Sequence, residues 1–185
     1  MIMKFCSQCA YPVELKTPEG DNRPRFVCDQ CDTIHYQNPR IIAGCLPIYD
    51  DKVLLCKRAI EPRHGFWTLP AGFMENGETT EQAAVRETLE EANARVDIEG
   101  LYTLFDLPHI SQVYIFYRAN LSDLDFSAGQ ESLEVKLFTE KEIPWDHLAF
   151  PTINKTLKYF FADRVNDNFP FRQRSIEIPY RRKQA

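Results

Sequence analysis

No uninterrupted apolar run in these 185 residues approaches the ~20 needed to cross a bilayer, which excludes a transmembrane helix. The opening Met1-Ile2-Met3-Lys4-Phe5-Cys6 leaves no room for an apolar signal region, so a cytoplasmic, reducing setting is expected and a disulfide framework is not. Neither an internal repeat nor a low-complexity tract is visible. Positive charge is not in excess: 22 Lys and Arg face 27 Asp and Glu, a net −5 that disfavours a general nucleic-acid partner. The exception is residues 163–185, where Arg164, Arg172, Arg174, Arg181, Arg182 and Lys183 outnumber Asp163, Asp167 and Glu177. A short basic terminus of this kind is expected to be solvated or packed on a partner subunit. Aliphatic side chains are scarce over residues 1–35, which therefore cannot build a core of their own. The remainder has an ordinary globular composition, 44% hydrophobic and 26% charged, and is long enough for one well-buried core plus a small appended module.

What the first 35 residues do have is cysteine. Cys6-x2-Cys9 and Cys28-x2-Cys31 are separated by the 18 residues Ala10 to Val27. Two such knuckles at this distance fit a tetrahedral four-thiolate zinc site, in which the metal supplies the folding energy that apolar burial does not. A single Cys-x-x-Cys could be a redox pair; two in this arrangement favour structural zinc. His35 follows Cys31 by four residues and could ligate, but with four cysteines available it is read as a loop residue. Cys45 and Cys56 lie inside apolar runs and are expected to be small buried hydrophobes.

Acidic residues are concentrated in one place. Glu87, Glu90 and Glu91 stand at i, i+3 and i+4, a spacing that puts them on one face of a helix. Thr79 followed by Gln82 is a capping-box start, and Ala83, Ala84 and Leu89 are good helix formers. Val85, Leu89 and Ala92 fall on the opposite side, which is expected to pack. Like charges so close destabilise a bare helix. A solvated acidic face is the plain alternative, but the glycines before the helix and the flanking Arg86 and Glu78 favour a bound divalent cation, and hard oxygen ligands suit Mg²⁺ or Mn²⁺.

Along the chain, residues 1–35 form the zinc module, 36–40 a linker, 41–162 the main domain and 163–185 the basic tail. Residues 41–49 and 52–58 flank Asp50-Asp51 as a hairpin, and 59–77 is a long loop. Strands are expected at 95–107, 112–121 and 133–138, and a closing helix at 151–162. Strands interleaved with two helices imply an α/β fold, a mixed sheet between helices.

The residues around the acidic helix resemble the Nudix box, G-x5-E-x7-R-E-U-x-E-E-x-G-U with U a bulky aliphatic residue. Here it reads Gly72, Glu78, Arg86, Glu87, Thr88, Glu90, Glu91, Asn93 and Ala94. Thr88 and Ala94 depart from the aliphatic positions and Asn93 from the glycine. Asparagine is the next residue after glycine to accept the left-handed conformation that ends helices. The approach Phe66 to Gly72 is also similar to the family's. The resemblance covers about residues 41–162 and implies an α/β/α sandwich behind a zinc ribbon. It also implies hydrolysis of a nucleoside diphosphate linked to another moiety, with the Gly72 carbonyl as a further ligand beside Glu87, Glu90 and Glu91. Arg86 is expected to pair with Glu78 or the cluster rather than with substrate. The general base is left open between Glu91 and a carboxylate of the 127–134 loop, Glu131 foremost, since in the family that loop can supply a base or a ligand. The resembled enzymes are commonly homodimers, which is the expectation here.

A zinc ribbon before such a domain is similar to the NADH pyrophosphatases, but their S-Q-P-W-P-F-P segment is missing: the region reads Leu107-Pro108-His109-Ile110-Ser111-Gln112-Val113. Pro108 sits at about the interval seen in ADP-ribose pyrophosphatases. With Tyr36 to Pro39, Leu69 to Gly72 and Glu131 to Glu134, the chain most resembles zinc-ribbon ADP-ribose/FAD pyrophosphatases. A small nucleotide is therefore the expected substrate. The remaining alternatives are an NADH pyrophosphatase, a catalytically silent ligand sensor, and an RNA-processing enzyme that holds RNA through its ribbon and tail.

Overall fold

A computed structural model describes residues 3–177. The chain divides into two compact units, Met1–Pro39 and Arg40–Ala185. The first is a three-stranded antiparallel sheet of β1 (Glu14–Lys16), β2 (Arg25–Val27) and β3 (Ile34–His35), in that order. Its two cysteine turns are built alike. Cys6 donates its N–H to the Tyr11 carbonyl at 2.7 Å, and Cys28 donates to that of Thr33 at 3.0 Å. Just past the second cysteine of each turn, Ala10 and Asp32 take the left-handed conformation, with φ of 60° and 56°. His35 belongs to β3 and is not a loop residue: its backbone pairs with Phe26.

The second unit is a mixed sheet between two helices. The predicted hairpin is present as β4 (Arg40–Tyr49) and β5 (Lys52–Arg58), with Asp50 at φ 52° in the turn. The predicted long loop contains two short strands, β6 (Trp67–Thr68) and β7 (Ala71–Phe73), which pair with β5 and β4. Next come α1 (Thr80–Ala92), β8 (Val96–Leu107), β9 (Gln112–Leu121), β10 (Ser132–Phe138), α2 (Pro151–Arg164) and β11 (Arg172–Ser175). The sheet order is β10-β5-β4-β9-β8-β11, with β4 parallel to β9 and β11 parallel to β8.

Alternation along β4 and β5 sends side chains to opposite faces. Leu46, Ile48, Val53 and Leu55 join Ile153, Leu157 and Phe160 of α2 in one cluster. Ala43 and Cys45 meet Ala83 and Ala84 of α1, and Leu54 and Cys56 meet Ala92 and Ala94. This corrects the expected packing face of α1 at Val85 and Leu89, while Ala92 packs as expected. Its buried residues are Ala83, Ala84, Thr88, Glu91 and Ala92, while Leu89 is 48% exposed and Val85 only half-buried. The reason is size: small residues at i, i+4 and i+8 let the helix lie close on a sheet face that is itself lined by alanine and cysteine. Thr88 fits that face because its hydroxyl donates to the Ala84 carbonyl at 2.8 Å.

The C-terminal segment also differs from its reading as a solvated or partner-bound tail. α2 continues to Arg164, and β11 extends the sheet beyond β8. Arg172 forks onto Asp163, whose other contact is the Tyr102 hydroxyl at 2.7 Å. Arg181, Arg182 and Lys183 lie outside the described residues. Among the described residues no helix is long and apolar enough to cross a membrane.

Candidate active site

In the first unit the sulfurs of Cys6, Cys9, Cys28 and Cys31 all lie within 4.8 Å of one another. Cys6 and Cys31 approach to 3.6 Å and Cys9 and Cys28 to 3.4 Å. Zn–S bonds of about 2.3 Å at tetrahedral angles put sulfurs about 3.8 Å apart, so the four fit zinc. The Thr33 hydroxyl lies 3.1 Å from the Cys31 sulfur and helps pull that thiol down to about 6, whereas burial and the neighbouring thiols push Cys9 up to about 12. Cys45 and Cys56 stand apart as buried thiols, and burial pushes Cys45 up to about 12.

In the second unit the acidic helix is fixed at both ends. The Thr79 hydroxyl accepts the Gln82 N–H at 3.1 Å, and the Gln82 side chain accepts the Thr79 N–H at 2.8 Å, a complete capping box. At the other end Asn93 is left-handed, φ 48°, and donates its N–H to the Leu89 carbonyl. Arg86 ties the helix to the preceding loop. It forks onto Glu78 at 2.8 and 3.0 Å, reaches Glu87 at 2.7 Å and Glu90 at 3.0 Å, and donates to the Phe73 carbonyl at 3.2 Å. That guanidinium holds the Glu78 carboxyl down at about 2.

Glu87 and Glu91 are shifted the opposite way from Glu78. Burial pushes both carboxyls up, Glu91 to about 8, with the Glu87 charge adding to the effect. Glu91 is 6% exposed, and its Oε2 is buried without a hydrogen-bond partner. Gly72 lies against Glu87 so closely that a Cβ there would overlap the carboxyl group. An orphaned buried carboxylate oxygen beside a second half-buried carboxylate and a backbone strand is a donor set that a hard divalent cation fits. Glu90 is more exposed and faces the same cleft.

The cleft has a volume of about 1590 Å³ and brings together Gly72, Arg86, Glu87, Glu90, Glu91 and Glu131. Glu131 is exposed, and its charge acts on both Glu87 and Glu91. Sequence reasoning missed the cleft's cations, Arg40, Arg58 and Arg63, none of which has a carboxylate partner among the described residues. Arg58 is half-buried, donates its Nε to the Pro62 carbonyl at 2.9 Å, and lies 5.3 Å from the Phe150 ring centroid. Its place at the end of an apolar strand directly before the glycine-bearing loop was the available signal.

The family model for the NUDIX domain matches residues 38–163, and the zinc-ribbon Nudix N-terminal model matches residues 4–37. The chain belongs to the Nudix hydrolase family. A crystal structure of a NUDIX hydrolase from Nitrosomonas europaea is similar over 94% of this chain and 99% of that one, with 59% identity and a TM-score of 0.91. The NAD-capped RNA hydrolase NudC of Klebsiella pneumoniae (strain 342) is 30% identical over 133 residues, 70% of this chain and 49% of that protein. The ADP-ribose pyrophosphatase of Methanocaldococcus jannaschii is 31% identical over 121 residues, 62% of this chain and 69% of that protein. This Nudix chain thus spans about half the length of the NudC relative.

Proposed function

We propose that this Nudix chain hydrolyses the pyrophosphate of a nucleoside diphosphate linked to another moiety, with ADP-ribose or FAD as substrate and AMP plus a second monophosphate as products. The observation that supports this is the buried Glu91, with one oxygen unpartnered, beside the half-buried Glu87 in a large cleft that Gly72 also lines. Glu87, Glu90, Glu91 and the Gly72 carbonyl would hold Mg²⁺ or Mn²⁺, which supplies positive charge for the diphosphate and for activating water. Arg86 keeps the loop and helix in register and is itself saturated by carboxylates, so it positions rather than binds. Arg58, preorganised by the Pro62 carbonyl and the Phe150 ring, has its remaining N–H groups available to a phosphate oxygen. Water adds to one phosphorus, the bond to the bridging oxygen breaks, and that oxygen leaves with the other phosphate. Either Glu91 or Glu131 would take the proton from the water.

Support for the substrate class comes from the ADP-ribose pyrophosphatase relative and from the missing S-Q-P-W-P-F-P segment. The NudC relatives favour a second reading, an NAD-type cap on RNA. Incubation with Mg²⁺ and ADP-ribose, FAD, NADH and NAD-capped RNA, followed by product chromatography, separates them. ADP-ribose should give AMP and ribose 5-phosphate, and FAD should give AMP and FMN, both at higher kcat/KM than NADH. Preference for NADH or the capped RNA, or dominant phosphate release from nucleoside triphosphates, would overturn the proposal.

A further inference from the structure

Where the Nudix box has glycine, this chain has Asn93, and the side chain is used. Asn93 occupies the left-handed position that ends α1, so its backbone does what a glycine would do. Its amide Nδ2 then faces three acceptors on a distant loop: the Ser127 hydroxyl at 3.1 Å, the Ser127 carbonyl at 3.3 Å and the Ala128 carbonyl at 3.4 Å. The same loop is bonded to the last turn of α1 through its backbone. Ser127 donates its N–H to the Ala92 carbonyl at 2.9 Å, and Gly129 donates to that of Glu91 at 3.0 Å. Gly129 lies so close to the Glu90 carbonyl that any Cβ there would overlap it. Two residues later comes Glu131, whose own carbonyl accepts the Ala59 N–H at 2.8 Å and whose carboxylate faces the cleft that holds Glu87 and Glu91. The loop is therefore pinned downstream to the end of β5, and upstream to the helix that carries the acidic cluster.

We infer that Asn93 is a positioning residue, which locks the 127–131 loop onto the end of the acidic helix and so fixes where Glu131 stands relative to Glu87 and Glu91. The inference rests on the proposed hydrolysis for its effect on rate, and on the hydrogen bonds alone for its effect on the loop. Among the described residues the other hydrogen bonds between the helix end and the loop are the two backbone bonds from Ser127 and Gly129, and the Asn93 amide adds a side-chain clamp to them. In the proposed reaction a carboxylate displaced by about 1 Å can cost up to ~100-fold in rate.

The clean test is Asn93→Gly, which keeps the left-handed end and removes only the clamp. The thermal midpoint should stay close to that of the unmodified protein, because glycine suits the position. Amide hydrogen exchange at Ser127 and Gly129 should accelerate by about fivefold or more, a readout independent of activity. Turnover of the preferred substrate, ADP-ribose or FAD, should fall by roughly tenfold. In the Glu131→Gln background the same change should have almost no further effect on rate, since the group being positioned is already gone. Asn93→Asp, which accepts the backbone angle but turns a carboxylate toward the same carbonyls, should behave no better than glycine. Unchanged exchange at Ser127 and Gly129 would overturn the clamp, and an equal rate loss with and without Glu131 would overturn the positioning role. Absence of ADP-ribose and FAD hydrolysis by the unmodified protein would refute the proposed function instead, leaving the exchange result to stand by itself.

Discussion

The two faces of the central sheet differ in the size of the side chains that meet the helices, and the acidic cluster lies on only one of them. Toward α2 the sheet presents Leu46, Leu55, Phe105, Phe116 and Phe138, which close on Ile153, Leu157 and Phe160. Toward α1 it presents mostly small residues: Ala43, Cys45 and Ala119 close on Ala83 and Ala84, and Cys56, with the larger Leu54, closes on Ala92 and Ala94. The large layer removes more apolar area from water per residue and so supplies more stability. The small layer supplies less, but it brings a helix backbone near the sheet, and that distance decides how deeply Glu91 is buried. One face holds the molecule together and the other holds the acid.

Replacing the acid breaks this division most sharply. Glu91→Gln keeps the side-chain shape and removes the charge, so turnover at saturating Mg²⁺ should fall by about a thousandfold, some 4 kcal/mol in barrier. Melting followed by circular dichroism should show no loss of stability, because a buried carboxylate with an unpartnered oxygen is not a source of it. A near-normal rate would mean that the α1 face is not where the reaction occurs. Phe160→Ala tests the other face. It empties part of a layer in which Phe160 is 1% exposed and should destabilise by about 3–5 kcal/mol in urea titration, with kcat nearly unchanged in the folded enzyme. If activity fell as steeply as stability, the faces would not be separable. Ala84→Leu sharpens the comparison from within the small layer. Overpacking there should cost about 1–3 kcal/mol and lower activity too, because the helix that moves carries the cluster. A loss of stability without loss of rate would show that close approach is not what seats Glu91.

What the sequence revealed follows the range of the interactions involved. The capping box of Thr79 and Gln82, the left-handed Asn93, the hairpin about Asp50-Asp51 and the paired cysteine turns are local devices, each readable within a few residues. Leu89 was misplaced because helical periodicity gives the faces of a helix without saying which one meets the sheet. That choice depended on Ala43 and Cys45, some forty residues earlier in the chain. β11 escaped notice because Arg172-Gln173-Arg174-Ser175 is polar, and only its parallel partner β8 makes it a strand. Arg58 reads in sequence as the end of a strand, and it becomes a cleft residue only when the 59–77 loop folds back across it.

The parallel pairing of β4 with β9 also bears on how the molecule comes to exist. β5 and β7 cover one edge of β4 soon after it is made, but its other edge is matched residue for residue by β9, from Arg40 with Gln112 to Ile48 with Asn120. A ribosome must therefore produce α1, all of β8 and most of β9 before the apolar middle strand has its second neighbour. Until then Ile42, Ala43 and Leu46 lie in a strand with unpaired backbone along one side, the kind of edge that recruits strands from other chains. The nascent protein is thus open to misassembly from the emergence of β4 until β9 pairs with it, an interval that includes the synthesis of its acidic helix.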